Sequence, residues 1–298
     1  MNPDFIQKGK HRKYFLTDKG YNYLQQELLM GGQSFISLAK IFDINPDTLS
    51  VLAKENGLFV DNRQKYVVNS NYFHDIDTPE KAYWLGFLYA DGCISKKSAK
   101  LILELQEQDE LSLYKLRSCL DSSHPIKRKI VKFNEKTFHH SYIVIVNKIL
   151  CNDLIKHGCI EKKSLILLPP SINPELYSAW ILGYMDGDGS IKVFKDSSRQ
   201  KEVLRLNISF TGTYEILSFI KSFFHSDAKI RHEHRCINNT YNFTITESAS
   251  LNFLSEMYNT EPLGYMSLDR KRNKFIEYLD YKGDKIYGSF KPKRTTTE

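Results

Sequence analysis

The sequence is poor in the features that mark secreted and membrane-spanning proteins. Its five cysteines are scattered through 298 residues, odd in number, and without a Cys-x-x-Cys pair, which argues against a disulfide framework and a zinc site. No apolar run approaches the roughly 18 residues that span a bilayer. The N-terminal stretch MNPDFIQKGKHRKYF is basic but lacks the apolar segment and cleavage site of a signal peptide. We therefore expect a soluble, intracellular protein, cytoplasmic or organellar, with no membrane partner.

The composition is that of an ordinary globular protein with an excess of positive charge. Hydrophobic residues make up 41% of the chain and charged residues 26%, which excludes a largely disordered chain. The net charge of +7 comes from residues 79–176, with 15 basic against 11 acidic side chains, and from residues 270–298, with 9 against 4. A basic balance suits a polyanionic partner, most often nucleic acid.

Two nonamers are near-copies of each other: WLGFLYADG at 84–92 and ILGYMDGDG at 181–189. After each, alternating strand-like and helix-like patterns recur in the same order. The first copy is followed by patterns at 99–106, 109–120, 126–133, 138–146 and 148–158. The second is followed by patterns at 203–210, 213–224, 228–235, 239–246 and 248–259. The simplest interpretation is an α+β fold of two tandem, pseudo-symmetric α-β-β-α-β-β-α repeats.

This organisation predicts four regions. The repeats occupy residues 79–176 and 177–281, and the proline-rich stretch LLPPSINPE at 167–175 marks the linker between them. Residues 282–298 form a basic C-terminal tail. Residues 1–78 do not share the repeat.

The N-terminal region, residues 1–78, contains a helix-turn-helix-like pattern at 34–58. Asn45-Pro46 starts the second of two short helices, because proline is tolerated in the first helical turn. In this pattern a small residue lies where the helices cross, and apolar residues fill the turn and face inward: Ala39, Ile44, Leu49 and Leu52. The pattern resembles DNA-binding helix-turn-helix motifs. The alternative is a helical hairpin that serves only for packing.

Each nonamer carries a stripe of small residues. Gly86 and Ala90 in the first copy, and Gly183 and Gly187 in the second, lie four residues apart and so share one helix face. Two helices with such smooth faces can pack backbone to backbone.

An aspartate ends each of these helical runs. Asp91 and Asp188 fall at the C-terminal ends, and Gly92 and Gly189 follow as expected helix caps. A carboxylate is disfavoured there because the helix dipole is negative at that end, and two adjacent carboxylates also repel each other. A cation between them would offset both costs, and an oxygen-only ligand set favours Mg²⁺, with other hard divalent cations possible. Such a cation beside a polyanion-binding surface suggests phosphodiester hydrolysis.

With these motifs, the sequence resembles the LAGLIDADG homing endonucleases of the two-motif, single-chain kind. The resemblance covers residues 79–281 and includes CIEKKSL (159–165) and YMSLDRKRNKF (265–275). It implies that Asp91 and Asp188 are metal ligands and catalytic carboxylates, and that Ala90 and Gly187 offer backbone carbonyls to the metal. Asp186 occupies an earlier acidic position of the motif, but its counterpart is Tyr89, so we do not count Asp186 as catalytic.

The resemblance also implies a basic residue near each acid, often a lysine on the following strand. The corresponding stretches, LQEQD and FTGTY, contain no lysine. Lys163, with Lys162 as its competitor, and Lys271 are the substitute candidates. The alternative for each is an ordinary surface lysine.

Polar side chains on the predicted strands suit contacts with base edges and phosphates. The predicted DNA-binding set is Arg205, Asn207, Ser209, Lys229, Arg231, Arg235, Thr240, Asn242 and Thr244. The alternative is a solvated sheet face. His232 and His234 are interpreted as core or edge histidines, not as metal ligands.

The sequence thus predicts a monomeric, Mg²⁺-dependent endonuclease that cuts double-stranded DNA at a long asymmetric site. The gene for such an endonuclease is either free-standing or carried by an intron or mobile element. The alternative is an RNA-splicing maturase, with RNA as partner, or a DNA-binding regulator on the same scaffold without cleavage.

Overall fold

The computed structural model describes residues 1–9, 13–30, 35–58, 66–133, 136–160, 166–196, 203–233 and 240–283. It divides into two compact units, Met1–Val67 and Val68–Glu298. The predicted regions placed residues 68–78 with the N-terminal part. In the structure, Tyr72, Phe73 and Ile76 are buried in the core of the second unit.

The first unit is a small β-hairpin with three helices. Strands β1 (Ile6–Lys8) and β2 (Tyr14–Leu16) pair antiparallel, and helices α1 (Asp18–Met30), α2 (Phe35–Phe42) and α3 (Pro46–Glu55) follow. Its core is formed by apolar side chains from these elements, among them Ile6, Leu24, Leu38, Phe42 and Leu49.

The predicted pair of short helices joined by a tight turn is confirmed in this unit. Asn45 is the N-cap of α3, and its side chain accepts a hydrogen bond from the Asp47 N–H at 2.8 Å. Ala39, Leu49 and Leu52 are buried, and Ile44 packs against them. Contact between these helices and DNA stays a prediction.

The second unit contains the two predicted repeats. The first runs through α4 (Pro79–Ala90), β3 (Gly92–Ser95), β4 (Lys100–Gln106), α5 (Glu110–Cys119), β5 (Ile126–Phe133), β6 (Lys136–Val146) and α6 (Lys148–Lys156). The second runs through α7 (Tyr177–Asp188), β7 (Gly189–Asp196), β8 (Val203–Gly212), α8 (Tyr214–Phe223), β9 (Arg231–His232), β10 (Tyr241–Ile245) and α9 (Glu247–Asn259). Two further helices, α10 (Leu263–Met266) and α11 (Asp269–Lys282), extend the second repeat.

The two sheets have the same topology, which confirms the α-β-β-α-β-β-α prediction. Each has four antiparallel strands, in the orders β3-β4-β6-β5 and β7-β8-β10-β9. The strand predicted at 228–235 is shorter than expected. Among the described residues of that range, only Arg231 and His232 are in a strand.

Side chains alternate between the two sides of each sheet. Leu101, Leu103 and Leu105 of β4 are buried, as are Leu206, Ile208 and Phe210 of β8. The residues between them are partly exposed. Each sheet therefore has one side packed in the core and one open side.

Candidate active site

The site is built on the close packing of the two motif helices. A Cβ atom added at Gly86 of α4 would lie 2.0 Å from the carbonyl oxygen of Trp180. A Cβ atom added at Gly183 of α7 would lie 1.9 Å from the carbonyl oxygen of Tyr83. Each of these residues in α7 lies 97 positions after its equivalent in α4. The contacts are therefore reciprocal, as a two-fold pseudo-symmetry axis requires, and the predicted backbone-to-backbone packing is confirmed.

The last contact along this stripe involves Ala90 and Gly187. A Cβ atom on Gly187 would lie 2.2 Å from the Ala90 Cβ and 3.3 Å from Asp91 Oδ2. One methyl group fits between the helix ends, and two do not. The Asp91 carboxylate consequently lies against the backbone of the opposite motif helix.

Asp91 and Asp188 come together at the same end of the helix pair. Asp91 is the C-cap residue of α4 and Asp188 is the last residue of α7, and both are exposed although the helices are buried. Burial, with added negative charge from both aspartates, holds the pKa of Tyr184 well above its ordinary value. Tyr184 and Asp188 share the wall of a cavity of about 190 Å³, whose other lining residues include Ala90, Thr211 and Gly212. Both predicted catalytic carboxylates thus lie near Tyr184 at this end of the helix pair.

Of the two glycines expected as helix caps, Gly189 is the C-cap residue of α7, whereas Gly92 follows the C-cap residue Asp91 of α4. Gly189 has a φ of −107°, and Gly92 is not among the described glycines with positive φ. Both begin strands, and a Cβ atom on Gly92 or Gly189 would lie 2.6 Å from the carbonyl oxygen of Leu88 or Met185, respectively. Glycine is required because the chain turns back closely over the last helical turn.

Lys271 caps the second motif helix. It lies in the first turn of α11 and is 2% exposed. Its Nζ donates hydrogen bonds to the carbonyl oxygens of Met185 (2.5 Å), Asp186 (2.7 Å) and Gly189 (2.8 Å), and burial lowers its pKa to about 8. These contacts satisfy the carbonyls that a helix end leaves without partners. They favour a positioning role, whereas direct assistance to catalysis stays a prediction.

Asp186 contributes a buried carboxylate that sequence reasoning set aside. Its Oδ2 accepts hydrogen bonds from the Tyr83 hydroxyl and the Leu268 N–H, both at 2.9 Å. Burial raises the pKa of Asp186. The carboxylate joins α4, α7 and the start of α11, but the counterpart Tyr89 instead donates to the His157 carbonyl. Because only one repeat has the acid, the sequence repeat gives no signal for this role.

The segment from Ser267 to Lys271 is also fixed to the first repeat. Lys115 Nζ of α5 donates to the Ser267 carbonyl at 3.2 Å and lies 3.4 Å from Asp269 Oδ1. Arg270 Nε pairs with the buried Asp109 at 2.8 Å. Polar contacts from both repeats therefore hold the lysine that caps α7.

The predicted DNA-binding residues of the second repeat lie largely on its open sheet face. Ser190 of β7, Asn207 and Ser209 of β8, and Thr244 of β10 share this face by strand pairing and alternation. Arg205 is also there, but its guanidinium is held by Asp196 at 3.2 Å and Glu247 at 2.5 Å.

The other predicted DNA-binding side chains differ in their location and in their contacts. Asn242 donates to Glu233 Oε2 at 3.0 Å, Arg231 is exposed in β9, and Lys229 is exposed before that strand. Thr240 lines the cavity beside Asp188. His232 is exposed at the sheet edge and packs against Tyr241, with ring centroids 5.1 Å apart. Lys162, Lys163, His234 and Arg235 lie outside the described residues.

The sequence reasoning missed the equivalent face of the first repeat. Lys127 lies opposite Tyr142 and Lys129 opposite His140 on neighbouring strands. Glu104 is paired with both Lys129 and His140 at 2.7 Å. The signal was the basic pattern of IKRKIVKF, which we used only to predict a strand.

Within the described part of the chain, no group of three or more His, Cys, Asp or Glu residues is arranged to hold a metal ion. The candidate ligand set is therefore the carboxylate pair with backbone carbonyls. None of the described helices has the length and apolar composition that crossing a membrane requires.

The comparison with known families agrees with these features. Residues 181–283 match the family model described as LAGLIDADG endonuclease. Together with the two motif-bearing halves of the fold, this match confirms the resemblance predicted from the sequence. Over these residues the chain is similar to LAGLIDADG endonucleases, and both motifs lie in one polypeptide. No curated protein matches it.

Solved structures with similarity to the chain include meganucleases crystallised with DNA. The meganuclease I-SmaMI bound to uncleaveable DNA is 13% identical, with a TM-score of 0.46 over 66% of this chain and 88% of that chain. The LAGLIDADG meganuclease I-AabMI bound to uncleaved DNA is 13% identical, with a TM-score of 0.43 over 69% and 90%. I-SmaMI bound to uncleaved DNA in the presence of calcium ions is 13% identical, with a TM-score of 0.44 over 68% and 89%.

Proposed function

We propose that this protein is a site-specific endonuclease that cuts both strands of a long, asymmetric DNA target with the help of a divalent cation. The observation that carries the proposal is the placement of Asp91 and Asp188, one from each repeat, at the same end of a pseudo-symmetric helix pair. One carboxylate per repeat suits one phosphodiester bond per strand. The endonuclease family match at 181–283 supports the same function.

The donor set at this end fits a hard divalent cation, for which we propose Mg²⁺. Two exposed carboxylates stand where both helix dipoles are negative, so their charge is uncompensated by the helices that carry them. Asp91 and Asp188 would bind the cation, with the backbone carbonyls of Ala90 and Gly187 as further oxygen ligands. A bound cation stabilises charge on the phosphate and activates the attacking water. The absence of a side chain at Gly187 leaves room for the Asp91 carboxylate beside α7.

The lysines have separate roles in this proposal. Lys271 holds the carbonyls at the end of α7 and thereby fixes the direction of Asp188. Lys163 is the candidate for a cationic side chain that contacts the phosphate directly.

The open faces of the two sheets bind the duplex. The second face presents hydroxyl, amide and basic side chains, and the first presents Lys100, Lys127 and Lys129. Because the two faces differ in sequence, a single chain reads two different half-sites, which suits a monomer on an asymmetric target. The helix-turn-helix of the first unit adds a further DNA contact, and the boundary of this unit lies after Val67.

The test is incubation of the purified chain with duplex DNA that spans the insertion site of its own gene. With Mg²⁺, we expect a discrete double-strand break that chelation with EDTA abolishes. A chain that binds its intron RNA and leaves every DNA intact would favour the maturase alternative. Tight DNA binding without cleavage under any divalent cation would favour the regulator.

A further inference from the structure

The open faces of the two sheets differ close to the catalytic carboxylates. In each repeat, the second residue after the motif aspartate begins a row of side chains that crosses three strands. In the first sheet the row is Cys93, Ile102 and Val144, which pair directly across β3, β4 and β6. In the second sheet the equivalent row is Ser190, Ser209 and Thr244, across β7, β8 and β10.

The apolar row faces away from the core. Ile102 lies between the buried Leu101 and Leu103, and it is itself partly exposed. Val144 is likewise partly exposed in β6, and Cys93 is exposed. Since side chains alternate along a strand, all three point to the open side of the sheet.

Every side chain in the equivalent row of the second sheet carries a hydroxyl group. Ser209 Oγ and Thr244 Oγ1 form a hydrogen bond at 2.9 Å, and Ser190 lies opposite Ser209. Both rows begin at the same distance along the chain from a catalytic aspartate. At equivalent positions, the two sheets therefore present different side chains to the two half-sites of a DNA target.

Basic side chains frame the apolar row. Lys100 lies one row away, opposite Val146. Lys127 lies on the other side, opposite Tyr142, and the neighbouring Glu104 is neutralised by Lys129. Positive charge around an apolar strip suits a duplex whose phosphates flank an apolar group, and it disfavours an apolar protein partner.

We infer that the row Cys93, Ile102 and Val144 reads the C5-methyl group of thymine in the major groove, beside the cleavage centre of one half-site only. The thymine methyl is the apolar group that base pairs present in the major groove, whereas serine and threonine hydroxyls bond to several base edges. This inference rests on the proposed function, because it takes duplex DNA as the ligand.

The experiment begins with selection of duplexes from a randomised library by binding to the full chain, so that it does not depend on cleavage. We expect thymine to be enriched next to the centre in one half-site and not at the equivalent position of the other. Replacing that thymine with uracil removes only the methyl group. It should weaken binding about fourfold, the factor that corresponds to burial of one methyl group.

Variants then assign the effect to the row. In the double variant Ile102→Ser, Val144→Ser, which leaves no methyl group at either position, thymine and uracil duplexes should bind equally. The matched control, Thr244→Val in the second sheet, should leave the original uracil effect intact and create a new one in the other half-site.

Three results would overturn the inference: no thymine enrichment, equal binding of thymine and uracil duplexes by the parent, or a uracil effect that survives in the double variant. Failure of the nuclease proposal would give a different result. If a selected duplex shows the uracil effect but is never cut, the inference about thymine holds and only the proposed cleavage is rejected.

Discussion

Asp91 and Asp188 occupy positions at which a carboxylate is unfavourable without a cation. Each stands at the C-terminal end of a buried helix, where the dipole is negative. Neither is buried, so solvent reduces the cost of the charge. In the proposed function, a bound cation would offset the part of this cost that remains.

The first prediction follows from this placement. Changing either residue to asparagine should abolish double-strand cleavage, while the affinity for target DNA stays within about tenfold of the parent. A gel assay of plasmid cleavage and a fluorescence anisotropy titration measure the two effects. Full cutting by both single variants would reject the assignment.

Lys271 combines burial with three carbonyl partners, which distinguishes it from a surface lysine. Changing it to methionine, which has a similar shape, should lower the free energy of unfolding by about 3 kcal/mol, because buried acceptors lose their donor. Urea denaturation of the metal-free protein measures this.

The matched control is Lys274→Met, at an exposed position of the same helix, which should change the stability by no more than about 0.5 kcal/mol. If Lys271→Met unfolds like the parent but no longer cuts DNA, the lysine acts in catalysis and not as a cap.

At the scale of elements, the helix pair depends on which small residue stands at each crossing position. Ala90 and Gly187 are equivalent in the repeat, yet only one of them carries a methyl group. A second methyl group would overlap the first, so the pair is complementary even though the repeats are similar.

A swap of these residues tests that complementarity. Gly187→Ala alone should destabilise the protein by about 1–3 kcal/mol through overpacking. Adding Ala90→Gly should restore stability to within about 1 kcal/mol of the parent, since one methyl group again occupies the space. Thermal unfolding of the parent, both single variants and the double variant gives the coupling free energy. Additive effects would show that the helices are not in close contact there.

At the scale of the whole molecule, the division into two units determines where the protein can be truncated without the loss of core residues. The sequence composition placed the boundary after residue 78, and contacts place it between Val67 and Val68. A cut after residue 78 removes Tyr72, Phe73 and Ile76 from the core of the second unit.

Two N-terminal deletions test this boundary. The fragment 68–298 should fold, cut DNA with a divalent cation at high enzyme concentration, and bind its target more weakly than the full chain. The fragment 79–298 should melt at a lower temperature than 68–298, because it lacks three buried apolar side chains. An insoluble or inactive fragment 68–298 would mean that the first unit is required for folding.

Much of this protein was determined by local sequence pattern. The two nonamers, the alternation in KLILELQ and VLRLNISF, and the small residues at Gly86 and Gly183 predicted the repeats, the sheet faces and the helix contact. Period-2 and period-3.6 patterns reveal which face of an element is buried, and an internal repeat shows the pattern twice.

Tertiary structure alone decided which polar groups serve the fold. The sequence singled out Lys271 as a candidate catalytic lysine but gave no sign that its Nζ caps the end of α7, over eighty residues earlier in the chain. The partners of Asp186 and Arg205 and the division of contacts at Val67 depend on similar long-range contacts. Such contacts depend on the packing of distant elements, whereas periodicity records only on which side of its own element a residue lies.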